Sequence, residues 1–201
     1  MPPSAALLRV EQLLAETSPG ADHAPLILLN ANCGDLLPLR QWPRERYLAL
    51  AERLLARYPT ARRVHRVRGR GARHRAAGAR VASARCVSLA GRTTLEELLV
   101  LYSLAQVLVT NDSGPAHFAT LTTVDVVTLF GPESPAVFAA RSPRNHVFWA
   151  GLPCSPCINA LNDRQSACRD NACMQAITVD AVFAKVCEIF EHRLARKAAA
   201  V

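Results

Sequence analysis

Short apolar runs alternate with amphipathic segments along most of the chain. Four runs are continuously or almost continuously apolar: Leu26–Leu29, Cys86–Leu89, Val107–Val109 and Val124–Phe130. Such runs are typical of strands that are buried on both faces of a sheet. Because helical patterns lie between them, the sequence predicts an α/β fold with a doubly wound parallel sheet.

Boundary residues locate several of the helices. Trp42-Pro43 opens one helix and Tyr58-Pro59 ends it, and Thr94 with Glu97 three residues later forms a capping box at the start of the next. A long closing helix is predicted over Val179–Arg196. The first helical pattern, Ala5–Ala15, is followed by Ser-Pro-Gly. We therefore predict a linker or detached terminal helix at residues 1–24 and one domain at residues 25–201.

The predicted sheet directs attention to three loops. Ligands of doubly wound sheets bind beyond the carboxyl ends of the strands. The loops that follow strands there are Asn30–Gln41, Thr110–His117 and Gly131–Pro135. Polar and charged side chains in these loops are the candidate binding residues.

The second loop carries the richest chemistry. Asn111, Asp112, Ser113 and Gly114 precede a helix that Pro115 opens, and the first-turn amides of that helix favour an anion. Gly114 lets a phosphate approach the backbone, and Ser113 offers a hydroxyl. His117, in the first turn, is placed to reach an anion or a sugar hydroxyl. The spacing alone fits equally well a helix that Asp112 or Ser113 merely caps.

Each of the other two loops contributes one candidate side chain. Arg40 in the first loop is suited to neutralising a diphosphate, although a single loop arginine is more often solvated. Glu133 in the third loop is suited to accepting hydrogen bonds from a sugar. A simple turn explains the adjoining Gly-Pro equally well.

Composition excludes several classes of protein. Half of the residues are hydrophobic and 20% are charged, which is ordinary for a globular chain. No apolar run is long enough to span a membrane, and the amino terminus lacks the pattern of a secretion signal. We expect a cytoplasmic protein, either free or peripheral at the inner membrane.

The net charge of +8 comes from one segment. Residues 61–85 contain nine arginines and no acidic residue, so the remaining 15 basic and 16 acidic residues sum to −1. A solvated or disordered loop, a binding patch for nucleic acid or anionic lipid, and a corrupted stretch of sequence all fit this tract. The second of these, through Arg62–Arg85, is our alternative function, although we do not expect nucleic acid as a partner.

Four of the seven cysteines fall within twenty residues. Cys154-x2-Cys157 is followed by Cys168-x4-Cys173, a spacing compatible with tetrahedral zinc or an iron–sulfur cluster. Reduced thiols in a partly buried loop fit the same pattern.

Two strings together carry a family resemblance. The segment Val109–Ala119 contains Asn-Asp-Ser-Gly-Pro-Ala-His, and the segment Val127–Pro132 ends in Phe-Gly-Pro one strand later. They resemble the C-terminal domain of the lipopolysaccharide heptosyltransferases, glycosyltransferase family 9. Leu28–Pro43, Gly91–Leu98 and Pro153–Cys157 extend the resemblance over about residues 25–190. The resemblance implies the C-terminal, Rossmann-like half of a GT-B glycosyltransferase.

The resemblance also implies a ligand and a set of roles. The donor would be a nucleotide-linked sugar such as ADP-heptose, transferred with inversion to the lipid A–core of lipopolysaccharide without a required cofactor. The diphosphate and sugar would lie against Asp112, Ser113, Gly114 and His117, with Arg40 as the basic residue. Asn111 and Glu133 complete the predicted binding residues.

The catalytic base is expected elsewhere. In the family it belongs to an N-terminal acceptor domain, and only 24 residues precede the first predicted strand here. We therefore expect a donor-binding half, whether fragment, split gene product or truncation, that needs a separate N-terminal half for transfer.

Overall fold

The computed structural model describes residues 4–17, 24–32, 37–59, 62–65, 86–163 and 165–199. The strands are β1 Leu26–Asn30, β2 Arg62–His65, β3 Cys86–Ser88, β4 Val107–Asn111, β5 Asp125–Phe130 and β6 Asn145–Trp149. The helices are α1 Ala5–Thr17, α2 Arg44–Arg57, α3 Leu95–Leu104, α4 Gly114–Ala119, α5 Pro135–Phe138, α6 Ala172–Gln175 and α7 Val179–Ala199. Short 3₁₀ turns cover Pro38–Arg40 and Ala160–Asn162.

The described strands form one parallel sheet in the order β3-β2-β1-β4-β5-β6. The direction of winding reverses between β1 and β4, which pair from Ile27↔Val107 to Asn30↔Thr110. This order is that of a doubly wound, Rossmann-like sheet, whose ligands bind at the point of reversal. The predicted fold class is therefore confirmed.

Helices cover both faces of the sheet. On one face α2 and α7 bury a core with β1, β4 and β5, including the fully buried Trp42 and Tyr47. On the other face α1, α3 and α4 pack against the same strands. Thr94 and Glu97 form the predicted capping box at the start of α3.

Helix α1 lies against this second face. Its Val10 and Leu13 are buried in the same core as Leu101 of α3, and Arg92 Nη2 lies 3.2 Å from Glu16 Oε2. The helix is thus packed on the domain rather than detached from it. The division at residues 24 and 25 stays a prediction.

The start of the arginine tract forms strand β2, so the solvated-loop alternative does not describe Arg62–His65. Arg62–His65 pairs in parallel with β1 on one side and β3 on the other. Parallel pairing on both sides satisfies the backbone of this segment, which explains why the arginines do not prevent a strand. Residues 66–85, which carry the rest of the tract, lie outside the described residues.

Candidate functional site

The three predicted loops meet in one cavity at the carboxyl edge of the sheet. The cavity, of about 150 Å³, is lined by seven residues: Arg40, Asp112, Ser113, Gly114, His117, Glu133 and Phe138. Six of these are predicted binding residues. The cavity opens beside the reversal point between β1 and β4, the expected position for a ligand of this fold.

Arg40 is the cation of this cavity and is held by two acids. Its Nη1 lies 3.0 Å from Glu133 Oε2 and 3.7 Å from Asp112 Oδ2. Both carboxyls are almost completely buried, with 2% exposure for Glu133 and 3% for Asp112. The arginine is thus an oriented side chain of the site, and the solvated alternative does not describe it.

The protonation of Asp112 is altered by these surroundings. Burial and, to a smaller extent, the neighbouring Glu133 carboxyl raise the pKa of Asp112 from 3.8 to about 7, against the opposing effect of the charge of Arg40. Among the described residues, neither Asp112 Oδ2 nor Arg40 Nε has a hydrogen-bond partner. Two buried polar atoms of the cavity lining therefore lack a hydrogen-bond partner in the described part of the chain.

Ser113 occupies the N-cap position of α4 without capping it. Its Oγ donates to the carbonyl of Asn111 at 3.1 Å, and no side-chain capping bond is made within the described residues. The capping alternative for this serine is therefore wrong. Gly114 and His117 lie within one turn of each other on α4, and both are exposed and line the cavity.

Asn111 lies beneath the cavity rather than in its lining. Its Oδ1 accepts hydrogen bonds from the backbone N–H of Trp42 at 3.0 Å and from the hydroxyl of Tyr47 at 3.2 Å. Its Nδ2 donates to the carbonyl of Ala31 at 3.1 Å. The side chain thus joins the end of β4 to the loop that carries Arg40, a positioning role that its place in the sequence does not indicate.

Other residues fix the loops in place. Asn30 Nδ2 donates to Thr110 Oγ1 at 2.9 Å across the reversal point, and Asn171 Nδ2 donates to the carbonyl of Gln41 at 2.9 Å. Phe138 of α5 forms an apolar wall of the cavity. Sequence reasoning missed Phe138, although its position just after the Gly-Pro loop is a signal for it.

The four clustered cysteines line a second cavity of about 420 Å³. Burial raises the pKa of the Cys173 thiol, and nearby Cys157 and Cys168 raise it further. Within the described residues, no three Cys, His, Asp or Glu side chains stand close enough to hold a metal ion. The backbone N–H of Cys157 donates to the carbonyl of Pro132 at 2.9 Å, so this segment supports the loop that carries Glu133.

A family profile identifies the chain. The profile of glycosyltransferase family 9 (heptosyltransferase) matches residues 5–167. The chain belongs to this family. The match includes all seven predicted donor-site residues, from Arg40 to Glu133, and Cys154 and Cys157, but it ends before Cys168 and Cys173.

A curated relative agrees with the family assignment. Lipopolysaccharide heptosyltransferase 2 of Salmonella typhimurium is 33% identical over 105 residues, which are 49% of this chain and 29% of that protein. The chain therefore covers less than a third of this relative in the matched region.

Solved structures agree with the fold. Escherichia coli ADP-heptose lps heptosyltransferase II superposes with a TM-score of 0.71 at 21% identity, covering 92% of this chain and 52% of that one. E. coli heptosyltransferase WaaC with ADP superposes with a TM-score of 0.59 at 18% identity, covering 89% of this chain and 48% of that one. The iron-containing dodecameric glycosyltransferase TibC of E. coli superposes with a TM-score of 0.58 at 17% identity, covering 85% of this chain and 45% of that one. The chain spans about half the length of these structures.

None of the described helices is long and apolar enough to cross a membrane. The alternative function through Arg62–Arg85 falls mostly on residues outside the described part of the chain. It stays a hypothesis with no structural support.

Proposed function

We propose that this chain binds a nucleotide-sugar donor of the ADP-heptose type at the cavity between β1 and β4. The observation that carries the proposal is the meeting of Arg40, Asp112, Ser113, Gly114, His117 and Glu133 around one opening at the carboxyl edge of the sheet. The family and the relative named for lipopolysaccharide heptosyl transfer support the choice of donor.

The cavity is sized for the centre of such a donor. Its 150 Å³ is less than the roughly 300–1,000 Å³ of a complete ligand pocket. We infer that the diphosphate lies beside Arg40 and that the nucleoside and sugar extend over the open edge of the sheet. Phe138 offers an apolar surface for one of these two ends.

The chemistry of transfer gives Arg40 its role. An inverting displacement at the anomeric carbon leaves negative charge on the departing diphosphate. A guanidinium that is already oriented stabilises this charge without reorganising. Glu133, which holds Nη1 of Arg40 at 3.0 Å, supplies that orientation.

We propose that the acceptor is lipopolysaccharide core, as the relative's name implies for that protein. The resemblance assigns the base to an acceptor domain, so we assign no base to the described residues. Such a reaction would take place at the cytoplasmic surface of the inner membrane.

Calorimetry tests the donor proposal. Titration with ADP-heptose, ADP and UDP should give binding that is strongest for ADP-heptose. His117→Ala is the sharpest variant, because His117 is exposed and its loss should weaken binding without lowering the melting temperature. A folded chain that binds no nucleotide or nucleotide sugar contradicts the proposal.

A metal at the cysteine cavity is a separate proposal. Four thiols line this one cavity, and tetrahedral zinc or an iron site takes such a set as thiolates. Because no three described side chains already converge, binding would require the thiols to move inward. A neighbour in fold is iron-containing, which supports the test.

Metal analysis of the purified chain decides this point. About one zinc or iron per chain is expected, and Cys157→Ser with Cys168→Ser should remove it. Cys187→Ser is the matched control, because this cysteine packs against the core and does not line the cavity. Metal-free protein after expression with zinc and iron contradicts the proposal.

A further inference from the structure

The charges of the donor cavity do not suit an anion as they stand. One guanidinium, Arg40, faces two buried carboxyls, Asp112 and Glu133, so full ionisation gives the group a net charge of −1. A diphosphate placed there would meet an excess of negative charge. Two buried carboxyls that approach the same guanidinium do not both ionise readily, since each lacks water to stabilise its charge.

The placement of the two carboxyls leads to the same conclusion. Asp112 and Glu133 both approach Nη1 of Arg40, and two neighbouring carboxyls can be hydrogen-bonded to each other only when one of them carries a proton. Asp112 Oδ2, at 3.7 Å from Arg40 Nη1, is otherwise without a hydrogen-bond partner among the described residues. A shared proton removes one charge and satisfies one buried oxygen.

We propose that Asp112 and Glu133 share one proton, and that the chain takes up this proton when a diphosphate donor binds beside Arg40. This inference rests on the proposed function. It assigns Glu133 a positioning role: the carboxyl holds Arg40 on one side and the shared proton on the other. Such a pair acts as a single titrating unit rather than as two independent acids.

The direction of the pH dependence follows from the charges. With the shared proton present, the charges of Arg40 and of the two carboxyls sum to zero, and a diphosphate is accepted. Without it they sum to −1 and repel the donor. Because the pKa of Asp112 is raised to about 7 by burial and by Glu133, affinity should fall as the pH rises above neutral. Because one proton is linked to binding, the Kd changes by at most about tenfold per pH unit.

Few other groups among the described residues face the carboxyl pair. Among the described residues that line the cavity, Arg40 comes from the 3₁₀ turn and His117 from α4, while Ser113, Gly114 and Phe138 are uncharged. A guanidinium keeps its charge in proteins. His117 is the competing titratable group, so the experiment needs a variant without it.

Calorimetry of ADP-heptose binding between about pH 6 and pH 9, in buffers of different ionisation enthalpy, tests the inference. We expect uptake of up to about one proton near pH 8 and a Kd that rises by up to about tenfold per pH unit above 7. ADP-heptose is the correct probe, because its diphosphate does not titrate here, whereas the terminal phosphate of ADP does.

Two variants separate the groups. In Glu133→Gln the remaining Asp112 pairs with Arg40, so binding should become independent of pH and exceed that of the unmodified chain at pH 9. In His117→Gln the pH dependence should persist, although affinity falls. If Glu133→Gln weakens binding equally at every pH, Glu133 contacts the donor as a carboxylate and the inference is wrong.

A measurement without donor completes the test. Carboxyl-carbon NMR of the free chain should show the Asp112 carboxyl titrating near pH 7, and this titration should disappear in Glu133→Gln. If all carboxyls titrate below about pH 5, no proton is shared and the inference fails even where the donor binds. Absence of any binding by the folded chain contradicts the proposed function as well.

Discussion

The substitution Gly114→Ala separates ligand binding from folding at the donor cavity. Gly114 lies at the start of α4, is exposed, and lines the cavity. A Cβ atom built there would stand 3.5 Å from Cε2 of Phe118, an ordinary van der Waals contact. The change therefore adds a methyl group at the site without a collision inside the protein.

The expected effects on stability and on binding have opposite signs. Replacing glycine by alanine where the backbone permits it stabilises a fold by about 0.4–1 kcal/mol, because the unfolded chain loses freedom. The added methyl takes up roughly the volume of a water molecule, about 30 Å³, from a cavity of about 150 Å³. Overfilling a packed site costs about 1–3 kcal/mol, so the Kd should rise by roughly 5- to 150-fold.

The assay pairs urea unfolding with calorimetry of ADP-heptose on the same preparation. Gly131→Ala is the matched glycine control, because its Cβ would lie only 2.6 Å from Cγ of the buried Met174 and 3.2 Å from Sγ of Cys173. This second variant should lose about 1–3 kcal/mol of stability. If Gly114→Ala binds the donor as tightly as the unmodified chain, no ligand approaches this backbone and our reasoning is refuted.

Three further predictions concern the acids and their support. Asp112→Asn should gain more stability over the unmodified chain at pH 8 than at pH 5. The raised pKa of Asp112 means that its contribution to stability is present below pH 4 and lost as the pH rises through about 7, with an upper limit of about 4 kcal/mol from linkage. Urea unfolding at both pH values would show no such difference if the pKa of Asp112 were ordinary. Asn111→Ala should cost about 1–3 kcal/mol, since it removes the acceptor of the buried Trp42 N–H. An unchanged denaturation midpoint would contradict this positioning role. Arg40→Met should abolish donor binding. Arg44→Met, at the start of α2, should change the Kd for the donor by no more than about twofold, because one partly exposed surface charge contributes little. Equal affinities of the two variants in calorimetry would show that Arg40 is not part of the site.

Local patterns determined the architecture of this protein. The apolar runs at Leu26–Leu29 and Val107–Val109, and the capping pair Thr94 and Glu97, act through neighbours within a few residues. Buried strands that alternate with helices allow few topologies, so the sequence alone predicts a site at the carboxyl edge of the sheet. The loop candidates Arg40, Asp112 and Glu133 follow from that choice.

Only the tertiary structure decided how those candidates interact. Arg40 and Glu133 are 93 residues apart in the chain, and the pairing of β4 with β1 on one side and β5 on the other brings them within 3.0 Å. The same packing lets the buried Asn111 side chain join the end of β4 to the loop that carries Arg40. It also places two carboxyls, those of Asp112 and Glu133, beside one guanidinium. Protonation depends on burial and on distances between distant segments, and neither quantity is encoded in the local spacing of residues.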